Sequence, residues 1–414
     1  MTSSESIASD RTPSYVPAER ANPSKGRGLG RVFLIMFLWM MAWWAMLGLV
    51  IAPVVPGHWL TIALAALVGA SPLLVFAQRL EGGYPSAALR LFVFRPFWYV
   101  QLALPLTALA GIAGALVGLP FGAGLRMGQG AAIAFAVAYA LVALAGFVGS
   151  RLLRVRELDV FVPDLPAAFA GLRIAQVSDL HVGPHTSRRH LAKVTRAIRT
   201  ARPDLIAITG DQVDDYGRDV ETFARVFGEL SAPLGVFAVA GNHDVYAGWP
   251  QVRAGLESMG ATVLVNDALA IEREGERLWI AGTGDPAAGG RGFGATAGAA
   301  PDISRTLARV PADSFVIALA HNPALWPSLA DRGVQLTLSG HTHHGQLSIP
   351  RINWSLASLF LEHAMGWHRR GRSLLYINPG TNYWGLPLRI GALPEVTVFT
   401  LNARLGEAMI SPRP

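Results

Sequence analysis

The stretch Ser339-Gly340-His341-Thr342-His343-His344-Gly345 places three imidazoles within four residues, directly after the apolar run Val334 to Leu338. The apolar run predicts a buried strand, and Gly340 predicts its end. The side chains of His341 and His343, two positions apart, could reach different ligands. A lone His-x-His is often a surface feature. Its meaning therefore depends on the residues that follow the other strands.

Four further polar clusters follow predicted strands in the C-terminal part of the chain. They are Ser178-Asp179-Leu180-His181, Gly210-Asp211, Gly241-Asn242-His243-Asp244 and His321-Asn322-Pro323. Short apolar runs alternate with helical patterns in this region, which predicts an α/β fold. Open α/β sheets place their ligands beyond the C-terminal ends of their strands. The five clusters therefore predict one shared site.

The ligand types in these clusters indicate the chemistry. Carboxylates, imidazoles and an amide oxygen without sulfur favour Mn, Fe, Zn, Co or Ni in mixed nitrogen and oxygen sites. The supply is enough for two divalent ions. Two ions that share a carboxylate, about 3.5–4 Å apart, can clamp a phosphoryl group and generate a hydroxide for in-line attack.

Composition indicates a membrane part and excludes thiol chemistry. The chain has 414 residues, 51% of them hydrophobic and 15% charged, and no cysteine. Disulfides, thiolate metal sites and cysteine nucleophiles are therefore excluded. Residues 1–156 carry 12 Lys/Arg and 4 Asp/Glu, a balance of +8, whereas residues 157–414 carry 23 and 24, a balance of −1. The basic excess lies in the apolar half, which argues against a nucleic-acid partner.

The first part of the chain predicts a tail and four membrane spans. Residues 1–30 are rich in Ser, Pro, Gly and Arg, which is typical of a disordered tail. The predicted spans are about Val32 to Val55, Trp59 to Gln78, Phe97 to Leu119 and Gly130 to Gly149. Each is long enough for the ~20-residue helix that crosses a bilayer. The predicted organisation is thus a tail (1–30), an all-α four-helix transmembrane region (31–156) and a globular domain (157–414).

The basic residues predict the orientation of these spans. Lys and Arg concentrate in the tail, in the loop after the second span and after the fourth span, and are nearly absent from the other two connections. Positive residues stay on the cytoplasmic side. We therefore expect an integral, multi-pass inner-membrane protein with both its N-terminus and its C-terminal domain in the cytoplasm. One span fewer would place the domain outside.

The series Asp-x-His, Gly-Asp, Gly-Asn-His-Asp, a lone His and Gly-His-x-His resembles the calcineurin-like metallophosphoesterase superfamily over about residues 170–402. The stretch Asn378-Pro379-Gly380-Thr381-Asn382-Tyr383-Trp384-Gly385 through Pro394-Glu395 is similar to the membrane-associated bacterial branch of that family. This branch includes relatives of UDP-2,3-diacylglucosamine pyrophosphatases. The resemblance implies an αββα sandwich for the globular domain. It does not cover the predicted spans.

The resemblance also implies a role for each matching residue. Asp179, His181 and His343 would hold the first metal ion, and Asn242, His321 and His341 the second. Asp211 would bridge the two ions. His243 would stabilise the charged transition state or protonate the leaving oxygen. Asp244 would orient His243 through a hydrogen bond.

Other polar residues near these motifs have less specific interpretations. His344 is more readily explained as a solvent-facing loop residue than as a phosphate contact. His185 and His190 follow the first motif, and His185 is more readily explained as a surface histidine than as a substrate contact. Asp214, Asp215 and Asp285 fit either solvated loop positions or positions behind the ligands. These six residues stay outside the predicted ligand set.

The segment Asn353 to Trp367 is notably apolar. A helix packed in the core is slightly favoured. The alternative is a cap beside the site that touches the bilayer and admits a lipid tail. The basic run from His368 to Arg372 that follows would suit anionic headgroups, or it could be a hairpin turn in water.

Two functional hypotheses of different classes follow. The first is a membrane-anchored, binuclear metal-dependent phosphoric ester hydrolase acting on a phosphodiester or pyrophosphate bond, in a lipid or nucleotide-linked lipid. The second is a catalytically silent membrane-bound sensor or scaffold that binds metal or phosphate. The presence of every expected ligand, and of His243, favours the enzyme. A transporter is disfavoured because the four spans contain no charged residue.

Overall fold

The computed structural model describes residues 23–51, 58–79, 84–289, 298–404 and 406–413. The chain divides into two compact units, Met1–Ala136 and Val137–Pro414. Of the predicted disordered tail, residues 1–22 lie outside the described residues. Residues 23–30 form the first turns of a helix instead of a coil.

The first unit is helical. Its helices are α1 (Pro23–Ile51), α2 (His58–Arg79), α3 (Ala87–Leu89), α4 (Arg95–Gly118) and the beginning of α5 (Gly124–Gly149), and a π-helical turn, Arg90–Phe94, joins α3 to α4. The side chains of Met40, Ala70, Leu73 and Phe97 are buried together in one apolar cluster of this unit.

Each of the four predicted spans coincides with a helix in the structure, although residues 52–55 of the first span are outside the described residues. Three helical stretches are long and apolar enough to cross a membrane: Phe33–Val50, Ala87–Phe121 and Gly124–Gly149. Within α2, the apolar stretch among the described residues is the shorter Ile62–Leu73. The apolar helices indicate a membrane protein.

The second unit contains two large β-sheets. Its strands, in chain order, are β1 (Arg154–Val162), β2 (Arg173–Val177), β3 (Leu205–Ile208), β4 (Val236–Ala238), β5 (Thr262–Val263), β6 (Asp267–Arg273), β7 (Glu276–Gly282), β8 (Val316–Leu319), β9 (Leu336–Ser339), β10 (Ser348–Ile349), β11 (Trp354–Ser355), β12 (Gly366–Arg370), β13 (Ser373–Ile377), β14 (Glu395–Ala403) and β15 (Met409–Pro412). A seven-stranded sheet has the order β15-β1-β14-β2-β3-β4-β5, and a six-stranded sheet has the order β12-β13-β9-β8-β7-β6.

Both sheets have a parallel centre. The strands β2, β3, β4 and β5 run parallel to one another, as do β7, β8, β9 and β13. Their C-terminal ends therefore lie along one edge of each sheet. Ile174 of the first sheet and Ile280, Leu336 and Tyr376 of the second are buried in a single apolar core, so the two sheets pack face to face.

Helices cover the outer faces of this sandwich. They are α6 (Arg188–Ala201), α7 (Val220–Phe227), α8 (Asn242–Ser258), α9 (Ile303–Thr306) and α10 (Trp326–Ala330). The helix α6 begins directly after Ser187, whose hydroxyl accepts the His190 backbone N–H at 3.1 Å and caps the helix. Val194 and Phe223 are buried against the first sheet. The predicted αββα sandwich is therefore confirmed.

The apolar segment Asn353 to Trp367 is not a core-packed helix, and the slightly favoured interpretation was wrong. It consists of the short strand β11, a 3₁₀ turn over Leu356–Leu359 and loops. Leu359 is 61% exposed and Phe360 is 81% exposed. The basic run after it belongs to the β12–β13 hairpin.

Candidate metal centre

Five loops meet where the central strands of the two sheets end. Asp179 follows β2, Asp211 follows β3, Asn242 begins α8 after β4, His321 follows β8 and His341 follows β9. Because β2, β3 and β4 are parallel neighbours and β8 pairs with β9, these residues share one edge of the sandwich. The strand-end clusters predicted to form one site are brought together.

The backbone of these loops is strained at the ligand-type residues. Asp179, Asp211 and His341 have left-handed φ angles of 54°, 53° and 73°. Each such residue costs about 1–3 kcal/mol and is typical of functional sites. Gly210, with a φ of 94°, lies so close to His321 that a Cβ would collide with the imidazole ring. Only glycine fits at that position.

The first group of ligand-type side chains comprises Asp179, His181 and His343, all buried. The Nε2 atoms of His181 and His343 are 3.0 Å apart, and the Nε2 of His343 is 3.2 Å from a carboxylate oxygen of Asp179. Three ligand atoms thus converge on one point. The usual metal–ligand distances of about 2.0–2.2 Å from nitrogen and oxygen would allow one ion among these atoms, so the residues fit a divalent cation.

The second group comprises Asn242, His321 and His341. The Asn242 side-chain oxygen lies 2.8 Å from Nδ1 of His341 and 3.2 Å from Nε2 of His321. The set contains two imidazole nitrogens and one amide oxygen, without sulfur. This set also suits a divalent transition-metal ion.

Asp211 lies between the two groups. One of its carboxylate oxygens is 3.6 Å from Nε2 of His181 and 3.3 Å from Nε2 of His321. Burial alone would raise the pKa of Asp211, but His321 and His181 outweigh burial and hold that pKa well below its ordinary value. The carboxylate is therefore ionised and can serve two cations.

The surroundings keep two of the histidines neutral. Burial and the neighbouring His321 lower the pKa of His341 to about 4. Burial and the Arg389 guanidinium lower the pKa of His343. A neutral imidazole does not repel a metal ion and is the form of histidine that binds one.

His243 is placed by Asp214 and not by Asp244, which corrects the expected hydrogen bond. Nδ1 of His243 donates to the Asp214 backbone carbonyl at 3.1 Å. The buried Asp244 carboxylate instead accepts four backbone N–H groups, those of Gly241 and of residues 211–213. Asp244 stands in the first turn of α8, where a carboxylate caps unpaired N–H donors. It therefore holds the Asp211 loop in place.

Arg389 contacts a predicted metal ligand, and the motifs in the sequence gave no sign of this contact. Its guanidinium is buried and donates to Nδ1 of His343 at 2.7 Å. It also donates to the backbone carbonyls of His343, Ala392, Pro379 and Asn382. Burial lowers the pKa of Arg389 to about 9. Arg389 therefore fixes the ring of a predicted ligand from a different loop.

His344 is buried and does not face solvent, so the favoured interpretation was wrong. Its Nε2 donates to the Ile377 carbonyl at 3.1 Å, and burial lowers its pKa to about 3. His190 likewise has a backbone partner, the Thr381 carbonyl at 2.8 Å. Both rings hold loops together.

The acidic residues beside the motifs are closer to the site than solvated loop positions would be. An oxygen of the Asp214 carboxylate lies 3.5 Å from Nδ1 of His181 and 3.6 Å from Nδ1 of His243. Asp285 is buried, and burial raises its pKa. Burial and the neighbouring Asp214 raise the pKa of Asp215 to about 6. The Asp214 carboxylate therefore lies beside two of the site histidines.

The sequence of this part of the chain is similar to that of known proteins. The sequence profile of the calcineurin-like phosphoesterase family matches residues 172–345. The uncharacterized metallophosphoesterase YkuE of Bacillus subtilis is 32% identical over 244 residues, which cover 58% of this chain and 82% of that protein. An uncharacterized metallophosphoesterase of Aquifex aeolicus is 30% identical over 253 residues, 61% of this chain and 93% of that protein.

A Danio rerio protein named "transmembrane protein with metallophosphoesterase domain" is 32% identical over 258 residues. That match covers 60% of this chain and spans 57% of the length of the Danio rerio protein.

The chain belongs to the metallophosphoesterase family. Members of this family typically bind two divalent metal ions, and the Asp/His groups described above could hold them. These matches define the family; the lipid-processing branch stays a prediction.

Proposed function

We propose that this protein is a membrane-anchored, binuclear metal-dependent phosphoesterase that hydrolyses a phosphodiester or pyrophosphate bond. The observation that carries the proposal is the position of Asp211 between two groups of ligand atoms. One group is Asp179, His181 and His343, and the other is Asn242, His321 and His341. A pair of metal ions that share one carboxylate is suited to the cleavage of a phosphoester bond.

Each side chain has a defined task in this proposal. The two groups would hold one ion each, and Asp211 would be a ligand of both. When bound, the ions supply polarisation of the phosphoryl oxygens and activation of water. The strained loop backbones and the Arg389 contact hold the ligands in position before binding, which reduces the reorganisation required at the moment of reaction.

His243 is the proposed group that stabilises the transition state or protonates the leaving oxygen. Its Nδ1 proton is engaged by the Asp214 carbonyl, so Nε2 is the nitrogen that can exchange a proton with the substrate. The rings of Tyr246 and Trp384 stand edge-on to His243, with centroids 5.8 Å and 5.7 Å away. Both rings are about half exposed and offer apolar walls to the part of the substrate next to the phosphoryl group.

The proposed substrate class is a lipid or a nucleotide-linked lipid. Support comes from the apolar helices, which offer membrane anchoring, and from the exposed apolar segment that contains Leu359 and Phe360. Such a surface is unfavourable in water and suits contact with lipid.

The proposed orientation places the N-terminus and the catalytic domain on the cytoplasmic side, as the distribution of Lys and Arg indicates. A reporter protein fused to the C-terminus of the full chain would test it. We expect activity of a cytoplasm-dependent reporter. Labelling of the domain by an impermeant reagent in intact cells would contradict the orientation.

Hydrolysis of bis(p-nitrophenyl) phosphate by the full chain in neutral detergent tests the activity. We expect manganese-dependent turnover that falls at least about 100-fold in Asp211→Asn and about 100-fold in His243→Gln. The His243→Gln protein should keep its bound metal, because His243 is not among the proposed ligands. Metal bound by the wild type without turnover of this or of lipid substrates would favour the silent scaffold.

A further inference from the structure

A second concave site lies in the globular unit, apart from the metal centre. Its cavity of about 540 Å³ is lined by thirteen residues, among them Arg154, Arg156, His344, Met365 and Trp367. None of the seven predicted metal ligands is in this lining. A ligand in this cavity would therefore occupy a different position from the scissile phosphoryl group.

The charge of the cavity favours an anion. Two arginines face one carboxylate, Glu395, in the lining. That carboxylate already accepts hydrogen bonds from the Tyr376 hydroxyl at 2.5 Å and the Thr397 hydroxyl at 2.9 Å. The Arg156 guanidinium also interacts with the Tyr376 side chain and with Glu395, but its buried Nε has no hydrogen-bond partner among the described residues. Buried polar groups are normally paired, so this N–H indicates an acceptor supplied by a ligand.

The cavity lies close to the end of α5 along the chain and in space. Arg154 begins β1, shortly after α5 ends at Gly149. The loop that contains Arg389 packs against α5, because the Arg389 backbone N–H donates to the Gly146 carbonyl at 2.9 Å. The same loop lines the cavity with Gly391, Ala392 and Leu393. Since α5 has the length and composition of a membrane span, the cavity would lie at the level of the headgroups.

The rest of the surroundings suits acyl chains. Met365 and Trp367 line the cavity, and Trp367 is also partly exposed. They belong to the same segment as Leu359 and Phe360, whose side chains are mostly exposed. Aromatic and aliphatic side chains at the edge of a basic site are typical of surfaces that lie in the membrane interface.

We propose that this cavity binds the phosphate-bearing headgroup of an anionic membrane lipid. The phosphate lies between Arg154 and Arg156, and the acyl chains pass Met365 and Trp367 toward the bilayer. The lipid is a docking ligand that holds the domain against the membrane, and it is not the molecule that is hydrolysed. The inference rests on the proposed membrane insertion of α5, but it is independent of turnover.

The test is lipid binding by the full chain in a neutral detergent, after removal of metal with EDTA. The ligands are phosphatidylglycerol, phosphatidylcholine with the same acyl chains, and inorganic phosphate, with native mass spectrometry as the readout. We expect phosphatidylglycerol to bind at least tenfold more tightly than either of the other two. The double variant Arg154→Gln/Arg156→Gln should raise the Kd for phosphatidylglycerol by about 10-fold or more, since it removes two charge-assisted contacts.

Two further variants control for charge and folding. Arg154→Lys/Arg156→Lys keeps both charges and should bind phosphatidylglycerol within about fivefold of the wild type. Arg253→Gln/Arg277→Gln removes the same charge from exposed positions that form surface ion pairs, and its Kd should stay within about twofold. If the glutamine variant does not fold, the affinities of the wild type for the three ligands still test whether it prefers an anionic lipid.

Equal affinity for phosphatidylglycerol and phosphatidylcholine would overturn the inference, as would unchanged binding in a folded glutamine variant. Equal affinity for inorganic phosphate would show an anion site without a lipid. Hydrolysis of bis(p-nitrophenyl) phosphate by the metal-loaded protein separates this inference from the proposed function. Lipid binding without hydrolysis contradicts the proposed function alone, and hydrolysis without lipid binding contradicts this inference alone.

Discussion

Replacement of Arg389 by lysine is expected to destabilise the globular unit. The guanidinium donates to five acceptors: Nδ1 and the carbonyl of His343, and the carbonyls of Ala392, Pro379 and Asn382. A lysine ammonium has three N–H donors, so at least two buried acceptors would lose their partner. At about 1–3 kcal/mol for each unpaired buried group, the expected loss of unfolding free energy is about 2–6 kcal/mol.

The same change should weaken metal binding at the first group. Arg389 contacts the ring of His343 at Nδ1, so its loss should let that ring move and should lower the affinity of the first group for manganese. Calorimetric titration of the EDTA-treated protein with manganese would measure the loss of metal affinity, and thermal unfolding would measure the loss of stability.

Arg253→Lys is the matched control for Arg389→Lys. Arg253 is about half exposed and pairs with Glu257 on the surface of α8 at 2.7 Å. Such a pair contributes about 1 kcal/mol or less to stability, so the manganese affinity and the unfolding temperature should both stay close to those of the wild type. Wild-type manganese affinity together with wild-type unfolding in Arg389→Lys would refute the positioning role.

Three further predictions concern the loops and the ions. Asp244→Ala should lower the unfolding free energy, measured by urea denaturation, by about 3 kcal/mol or more, because four backbone N–H groups lose their acceptor. An unchanged denaturation midpoint would contradict the role of Asp244 in holding the Asp211 loop. Gly210→Ala should lower both the manganese affinity and the unfolding temperature. The alanine Cβ would displace His321, and the φ of 94° at this position is unfavourable for alanine. The same substitution at the exposed Gly260 is the control. Removal of metal with EDTA should lower the unfolding temperature of the wild type, and manganese should restore it, since a ligand bound to the folded state stabilises that state; equal unfolding temperatures would argue against tightly bound ions.

The fold and the grouping of the ligand-type residues were predictable from the sequence because both depend on local patterns. Each of Asp179, Asp211 and His341 follows a short apolar strand, and parallel strands bring their C-terminal ends to one edge. The motif spacing then distributes the residues over two groups. The αββα sandwich and the family are confirmed, whereas the individual ligand roles stay predictions.

Contacts between distant segments were not predictable in this way. Asp244 follows His243 directly in the sequence, but its carboxylate turns to the backbone of the Asp211 loop, which contains more N–H donors than the neighbouring ring offers. Arg389 lies 46 positions from His343 and belongs to no motif with it. A lone arginine between apolar residues gives no local signal of its burial.

The apolar segment and His344 show a second limit. Apolar composition does not distinguish a buried helix from an exposed surface, and Phe360 lies on such a surface. The adjacent loop turns His344 inward to the Ile377 carbonyl, although a third histidine in a polar motif resembles a surface residue. In both cases the tertiary packing determines whether the side chains are buried or exposed. The periodicity of the sequence does not predict that packing.

The most direct test of the binuclear site is anomalous diffraction from crystals of the full chain grown with manganese. Two anomalous peaks are expected, one among Asp179, His181 and His343 and the other among Asn242, His321 and His341, with the Asp211 carboxylate touching both. A single peak, or peaks outside these groups, would contradict the account.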